Sequence, residues 1–361
     1  MRMTFNDMNL FWVLLFGCCL LVSCNKNGSS PSPAKTQPDS IYFGRQTFNI
    51  TMNSRFVLYD TALSMIGGGI LDTLAQPGPF TSFIPDNNAL NAASWGYASN
   101  GIVAWVQPPS HARTTVLSLI VRGALYLRAL PVGRNQVFTS LEGTPLYVSK
   151  YVVRADTLYA VNGVPVFTPD FLTTNGPIEV LDQGLPNIVS FATVSAYVNS
   201  APELTYLSLA LQRSGLDKLL AGSDELTLLA PCNAAFQASP DSSLNSIDSL
   251  LAADTAKLAR VLRYHIVRGR NFLYDFTVQA TGMDTLRLPT LVNGDSVSVF
   301  FKNSNNPGFY FLGTGNFGLN PYTGIISPLP VGLFSPSYGQ YTADQPEKNG
   351  VVHELGGLLI P

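Results

Sequence analysis

Apolar residues fall into two arrangements along this chain, and each is used more than once. The first is a short unbroken apolar run that ends in proline, followed by a polar residue and an Ala-apolar pair. It reads Phe80-Thr-Ser-Phe-Ile-Pro-Asp-Asn-Asn-Ala-Leu90, and again Leu226-Thr-Leu-Leu-Ala-Pro-Cys-Asn-Ala-Ala-Phe236. Such a run predicts a buried strand. Pro85 or Pro231 ends it, because proline has no N–H for a ladder. Asp86 and Asn87, or Asn233, then stand where a helix start needs a capping oxygen. The second arrangement is helical. Leu58, Ala62, Met65 and Ile66 recur at helical spacing and are followed by Ile70 and Leu74, with Gly67-Gly-Gly69 breaking the helix. Leu204, Leu207, Leu211, Leu216 and Leu220 form a second such face, and Leu258, Val261, Leu262 and His265 a third, at i, i+3, i+4 and i+7. Pro108-Pro109-Ser110 opens another helix, with Ser110 at its cap or first turn. Alternating segments at Val137 to Leu141, Pro145 to Tyr151, Thr157 to Val161 and Ile178 to Leu181 read as strands. Helices early and strands late within one unit predict an α+β domain.

The two proline-ended runs lie 146 residues apart (231 − 85). The same offset pairs Gly69-Ile70 with Gly215-Leu216, and Ile120-Val-Arg-Gly123 with Ile266-Val-Arg-Gly269. A closing pair, Asn175-Gly-Pro-Ile-Glu-Val-Leu-Asp182 and Asn349-Gly-Val-Val-His-Glu-Leu-Gly356, has an offset of 174 (349 − 175). The second copy therefore carries 28 extra residues (174 − 146) after Gly269. A period this far beyond the ~20–50 residues of solenoids makes each copy a whole domain. The first is expected over about 41–187 and the second over 191–361, with a short boundary near Pro186 to Ser190. The extra residues are expected at about 313–347, in a stretch rich in Gly, Pro, Ser, Asn and aromatics and nearly free of charge. Long irregular loops in compact domains are often functional. Phe317, Tyr322, Phe334, Tyr338 and Tyr341 are therefore candidate binding residues, able to stack on sugars or dock on protein.

These residues, in this order, resemble the fasciclin (FAS1) domain family. That family shows a Phe-Ala-Pro-Thr-Asn type strand running into an Ala-Phe helix, a Tyr-His before Val-Val-x-Gly, and a closing Asn-Gly-Val-Ile-His-Val-Ile-Asp with a terminal proline. The second copy matches with Ala230-Pro-Cys-Asn-Ala-Ala-Phe236, Tyr264-His-Ile-Val-Arg-Gly269 and Asn349-Gly-Val-Val-His353. The first copy diverges: Ser118-Leu119 stands for Tyr-His and Glu179 for the closing histidine. The resemblance implies two tandem FAS1 domains, each a β-sandwich-like wedge with several helices, and a role in adhesion or matrix interaction. It also makes Tyr264 and His265 candidate binding residues, against the plainer alternative of a core histidine satisfied by backbone. Because the first copy lacks both histidines together, His265 and His353 are expected to be spatial partners in one polar pocket.

Residues 1–23 read as a targeting segment. Arg2 supplies the positive start, and Leu10 to Val22 is an uncharged apolar run too short to span a bilayer. It ends in Leu21-Val-Ser-Cys24, which resembles a bacterial lipobox and makes Cys24 the expected lipidation site. Residues 24–40 then form a tether of Asn, Lys, Gly, Ser, Pro, Thr and Gln. The whole is similar to tandem-FAS1 lipoproteins of Bacteroidota type, although no acidic run follows Cys24. The expected location is the cell envelope, at the outer membrane, with the leaflet open. The chain has 21 basic and 23 acidic residues, a net charge of −2, and only 12% charged residues. Globular domains usually have ~25%. With no basic stripe, nucleic acid is not an expected partner. Of four cysteines, Cys18 and Cys19 leave with the targeting segment and Cys24 is acylated, so Cys232 alone cannot form an internal disulfide.

No catalytic motif emerges. His111, His265 and His353 lack metal-ligand spacing, and neither a nucleophile elbow nor a phosphate loop is present. The expectation is a non-enzymatic envelope lipoprotein with no cofactor or metal, binding a cell-surface or matrix protein or glycan. The alternative is a glycan- or ligand-binding accessory lipoprotein of an outer-membrane uptake system.

Overall fold

The computed structural model describes residues 54–67, 69–75, 77–92, 96–99, 102–105, 108–181, 188–302, 308–316, 325–326 and 343–361. Cys24 and the tether lie outside the described residues, as do Phe317, Tyr322, Phe334, Tyr338 and Tyr341. By its contacts the chain from Pro38 to Pro361 forms one unit.

The first copy begins with α1 (Val57–Ile66) and α2 (Ile70–Ala75), then β1 (Phe80–Pro85) and α3 (Asn87–Ala92). A hairpin of β2 (Gly96–Ser99) and β3 (Ile102–Trp105) leads to α4 (Pro109–Ser118) and β4 (Ile120–Arg122). Six strands close the copy: β5 (Gly133–Thr139), β6 (Pro145–Val153), β7 (Asp156–Val161), β8 (Val164–Pro165), β9 (Thr168–Thr173) and β10 (Gly176–Leu181). The second copy repeats this plan with α5 (Val194–Ser200), α6 (Thr205–Ser214), α7 (Asp217–Leu220), β11 (Leu226–Pro231), α8 (Asn233–Gln237), α9 (Ile247–Ala252), α10 (Thr255–Tyr264), β12 (Ile266–Arg268) and α11 (Leu273–Gln279). It ends with β13 (Thr285–Pro289), β14 (Ser296–Lys302), β15 (Gly308–Leu312), β16 (Ile325–Ile326), β17 (Gln345–Glu347) and β18 (Gly350–Leu355).

Each copy folds around two four-stranded sheets, ordered β4-β1-β10-β9 and β5-β6-β7-β8 in the first, β12-β11-β18-β17 and β13-β14-β15-β16 in the second. The proline-ended run is an inner strand of its sheet, parallel to the closing strand. Phe83 opposes Glu179 in the first copy, and Leu229 opposes His353 in the second. Both offsets in the sequence thus hold in the register. An inner strand covered on both faces has no place for polar alternation. Accordingly Leu226, Leu228 and Ala230 pack into the helical cluster, while Leu229 packs with Tyr264, Phe276 and Phe311 on the opposite side.

The closing Asn-Gly explains itself in the structure. Asn175 Nδ2 donates to Leu74 O at 2.6 Å, and Asn349 Nδ2 donates to Leu220 O at 2.9 Å. A Cβ on Gly176 (φ +129°) would overlap Phe80 O, and one on Gly350 would overlap Leu226 O. The parallel pair closes only without a side chain there.

Several local expectations change. In α1, Tyr59 and Leu63 are buried beside Leu58 and Ala62, while Met65 is 38% exposed. The inward face is therefore rotated towards the i, i+4 pairs Leu58/Ala62 and Tyr59/Leu63. Asp86 caps α3 as expected, accepting from Ala89 N at 3.0 Å. Asn233 does not cap its own helix: its Oδ1 accepts from Tyr206 N at 3.0 Å, in the first turn of α6. Asn87 does the same for α1 through Leu58 N at 3.1 Å. Tertiary contact recruits the asparagine for a helix remote in sequence. Extra residues of the second copy also start earlier than 313. Val121 bridges Ser140 and Val267 bridges Thr290, separations of 19 (140 − 121) and 23 (290 − 267) residues, so four enter before Thr290. Within 313–347, β16 pairs with β15 through Ile325 and Ile326.

Candidate functional site

The densest polar chemistry lies where the closing strand meets the turn after β4 or β12. β18 is buried on both faces, so a polar side chain there must find hydrogen-bond partners. His353 Nε2–H donates to Asn271 O at 2.9 Å, and its Nδ1 accepts from Asp344 N at 3.1 Å. Those two bonds set the Nε2–H tautomer. Burial lowers the imidazole to a pKa of about 4 and pushes the Asp344 carboxyl up to about 8. The 3.6 Å approach of Nδ1 to Asp344 Oδ1 is therefore no ion pair at neutral pH. Asp344 sits at φ +52°, and its Oδ1 accepts from Leu273 N at 2.8 Å, capping α11.

Tyr264 and His265 are both fully buried. Tyr264 Oη donates to Ser296 O at 2.7 Å and accepts from Thr314 N at 3.0 Å. His265 Nδ1–H donates to Val261 O at 2.9 Å, and Nε2 accepts from Leu359 N at 2.9 Å. Burial lowers this imidazole also to about 4. With no exposed atom, the pair holds the end of α10 to β14 and to the C-terminal segment; a partner would not reach it without opening the domain. The expected pairing of His265 and His353 does not take the form of a direct hydrogen bond. The two flank Leu229, which donates its N–H to His265 O at 2.9 Å and pairs with His353 across the ladder. All four ring nitrogens bond to backbone rather than to each other.

The first copy builds the same frame from other side chains. Asp170 has φ +58° and accepts from Leu127 N at 2.6 Å and from Arg128 N at 3.0 Å. Its own N–H donates to Glu179 Oε2 at 2.8 Å. Glu179 is fully buried, and burial raises its carboxyl well above the usual range.

The joint between the copies was not visible in the sequence. Arg134 Nη1 donates to Asn271 Oδ1 at 3.1 Å and lies 3.8 Å from Asp275 Oδ1. Asn135 Nδ2 donates to Arg270 O at 2.7 Å, and Tyr151 Oη to Asp275 Oδ1 at 2.8 Å. The Arg270 guanidinium carbon lies 4.0 Å from the Tyr147 ring centroid, a cation–π contact. Its nitrogens donate to Gly350 O at 2.6 Å, Glu347 O at 3.0 Å and Lys348 O at 3.2 Å. Tyr147, Val189, Phe272 and Val351 form an apolar cluster beside it. These groups are about 120–140 residues apart in sequence, beyond any local pattern. The one available signal is that Arg270-Asn-Phe272 directly follows the repeated Ile-Val-Arg-Gly.

Among the described residues no group of three or more His, Cys, Asp or Glu could hold a metal ion. Nor is any helix there long and apolar enough to cross a membrane. Cys232 is a buried free thiol.

A family model for the fasciclin domain matches residues 59–186 and 202–316. The chain is 26% identical over 259 residues to stabilin-2 of Mus musculus, covering 66% of this chain and 9% of that protein. It is 28% identical over 220 residues to human periostin, covering 60% and 24%. It is 26% identical over 293 residues to the transforming growth factor-beta-induced protein ig-h3 of Oryctolagus cuniculus, covering 79% and 35%. The chain thus spans between about a tenth and a third of the length of these relatives. Among solved structures it is similar to a FAS1 domain pair from the insect cell adhesion molecule fasciclin I, with 17% identity over 84% of this chain and 96% of that one. The TM-score is 0.38.

Proposed function

The chain belongs to the fasciclin domain family, and from that premise we propose a non-enzymatic adhesion protein of the cell envelope. In this reading lipid on Cys24 holds the chain to the outer membrane, and both fasciclin domains face a protein partner as one unit. Adhesion is what the family resemblance implies. The observation that carries the reading further is the hydrogen-bonded joint between the copies. Tyr151, Asn135 and Arg134 of the first grip Arg270, Asn271 and Asp275 of the second. Two domains joined this way keep their outer surfaces in fixed relation, so a partner spanning both meets a preorganised surface. The titratable groups at the closing strands support the same reading, since their hydrogen bonds hold backbone in place.

Immobilised mature protein should retain cells or envelope proteins, and protease treatment of the partner surface should abolish retention. A glycan-array signal without protein binding would overturn this reading in favour of the sugar-binding accessory lipoprotein. The anchor is tested separately by detergent partitioning. Cys24→Ala should move the protein from the detergent to the aqueous phase, because the thiol is the acyl acceptor; unchanged partitioning removes the anchor.

A further inference from the structure

We propose that Glu179 is held as a neutral carboxylic acid that takes the place of His353, with the proton on Oε1 while Oε2 accepts from Asp170 N. Three hydrogen bonds around this position correspond between the two copies. Asp170 N donates to Glu179 Oε2 at 2.8 Å as Asp344 N donates to His353 Nδ1 at 3.1 Å. The same aspartates accept from Leu127 N and Leu273 N. Leu125 N donates to Thr81 Oγ1 at 2.7 Å as Asn271 N donates to Thr227 Oγ1 at 2.9 Å. In the second copy the other ring nitrogen donates to Asn271 O, whose counterpart is Leu125 O. In the first, Glu179 Oε1 is buried without a hydrogen-bond partner.

Imidazole and carboxylic acid are interchangeable in such a frame. In each, two heteroatoms flank a single carbon, and the neutral form carries one donor and one acceptor. An ionised carboxylate has acceptors only and would leave a charged oxygen buried without a donor. The charged and titratable groups around Glu179 do not offset that cost. Asp170 on β9 is itself acidic. Arg128, on the segment after β4, is 62% exposed and lies 3.6 Å from Asp170. Tyr159 on β7 faces the site, and Lys150 on β6 is occupied by Arg128 O and Leu130 O. Burial accordingly pushes the Glu179 carboxyl upward.

A raised folded pKa means that the folded state holds the proton longer than the unfolded state. Stability from Glu179 is thus full below its ordinary pKa of 4.5 and is lost as pH rises towards its folded value. The Glu179 contribution to the first domain is thus kept in acid and lost towards alkali.

The test uses the mature chain with 13Cδ-labelled glutamate. Glu179→Gln, whose amide offers the same donor and acceptor, assigns the Glu179 resonance by its loss, and Glu179→His provides a second assignment. At pH 7 the resonance is expected at the carboxylic-acid position; a carboxylate shift overturns the proposal. The first domain of Glu179→Gln should melt progressively higher than wild type as pH rises from 5 to 8. Taking the difference between the two proteins cancels the other titrating groups. A difference that stays constant or reverses over that range also overturns it.

Discussion

At the scale of the residue, His265 and His353 show how burial disposes of charge. Each ring has one donor and one acceptor matched to backbone, and desolvation drops each pKa from 6.5 to about 4. Between these values the unfolded chain binds more protons than the folded one. Stability therefore rises with pH, and each ring contributes on the order of 3 kcal/mol that is full above pH 6.5 and lost as pH falls towards 4. Asp344 and Glu347, raised by burial to about 8 and about 7, act in the opposite sense over an overlapping range. The overall acid slope thus cannot isolate the histidines, but 15N NMR can. At pH 6 His265 should appear as the Nδ1–H tautomer and His353 as Nε2–H, both neutral. Either ring titrating near 6.5 in the folded protein would contradict the assignment. His353 on an apolar strand and Glu179 at its counterpart could be aligned from sequence alone. Their bond partners could not, because Asp344 and Asn271 reach His353 only through the fold.

At the scale of the element, the closing strand depends on one asparagine. Asn349 Nδ2 donates to Leu220 O at 2.9 Å and to Gly222 O at 2.7 Å, while Oδ1 accepts from Val194 N at 2.9 Å. It therefore ties the end of α7, the start of α5 and β18 together. Asn349→Ala should cost about 3 kcal/mol, since each buried group left unpaired costs about 1–3 kcal/mol and the losses overlap. Asn349→Asp keeps the bond to Val194 but meets two carbonyls without donors, so it should not recover the loss. Chemical denaturation followed at the second domain checks this, and a change below about 0.5 kcal/mol would be at odds with the three bonds. The strands and helix faces were legible because period and proline are local signals. The rotation of α1 that exposes Met65 was not, since it depends on what α1 meets across the fold.

At the scale of the whole molecule, the joint between copies couples their stabilities. Tyr151→Phe removes the hydroxyl that donates to Asp275 and leaves a buried carboxylate with one fewer partner. Combined with Asn135→Ala, it should separate the two thermal transitions or widen the gap between them, while each core stays intact. Hydrogen exchange at Arg270, Asn271 and Phe272 should rise with it. Transitions and exchange unchanged from wild type would show that the polar bonds are incidental and that Tyr147, Val189, Phe272 and Val351 suffice to hold the joint.

The sequence by itself determined the repeat, its two offsets, the α+β class and the family. Each rests on near-neighbour chemistry: apolar period, prolines that stop strands, and an Asn-Gly where two backbones must touch. Only the tertiary structure decided what the polar residues do. A ring or carboxyl is assigned its protonation by burial and by partners from elsewhere in the chain. The same sequence motif thus yields a neutral histidine in one copy and a strongly shifted glutamate in the other. The joint is likewise a tertiary fact, because β5 and β6 meet the turn after β12 only once both copies have folded.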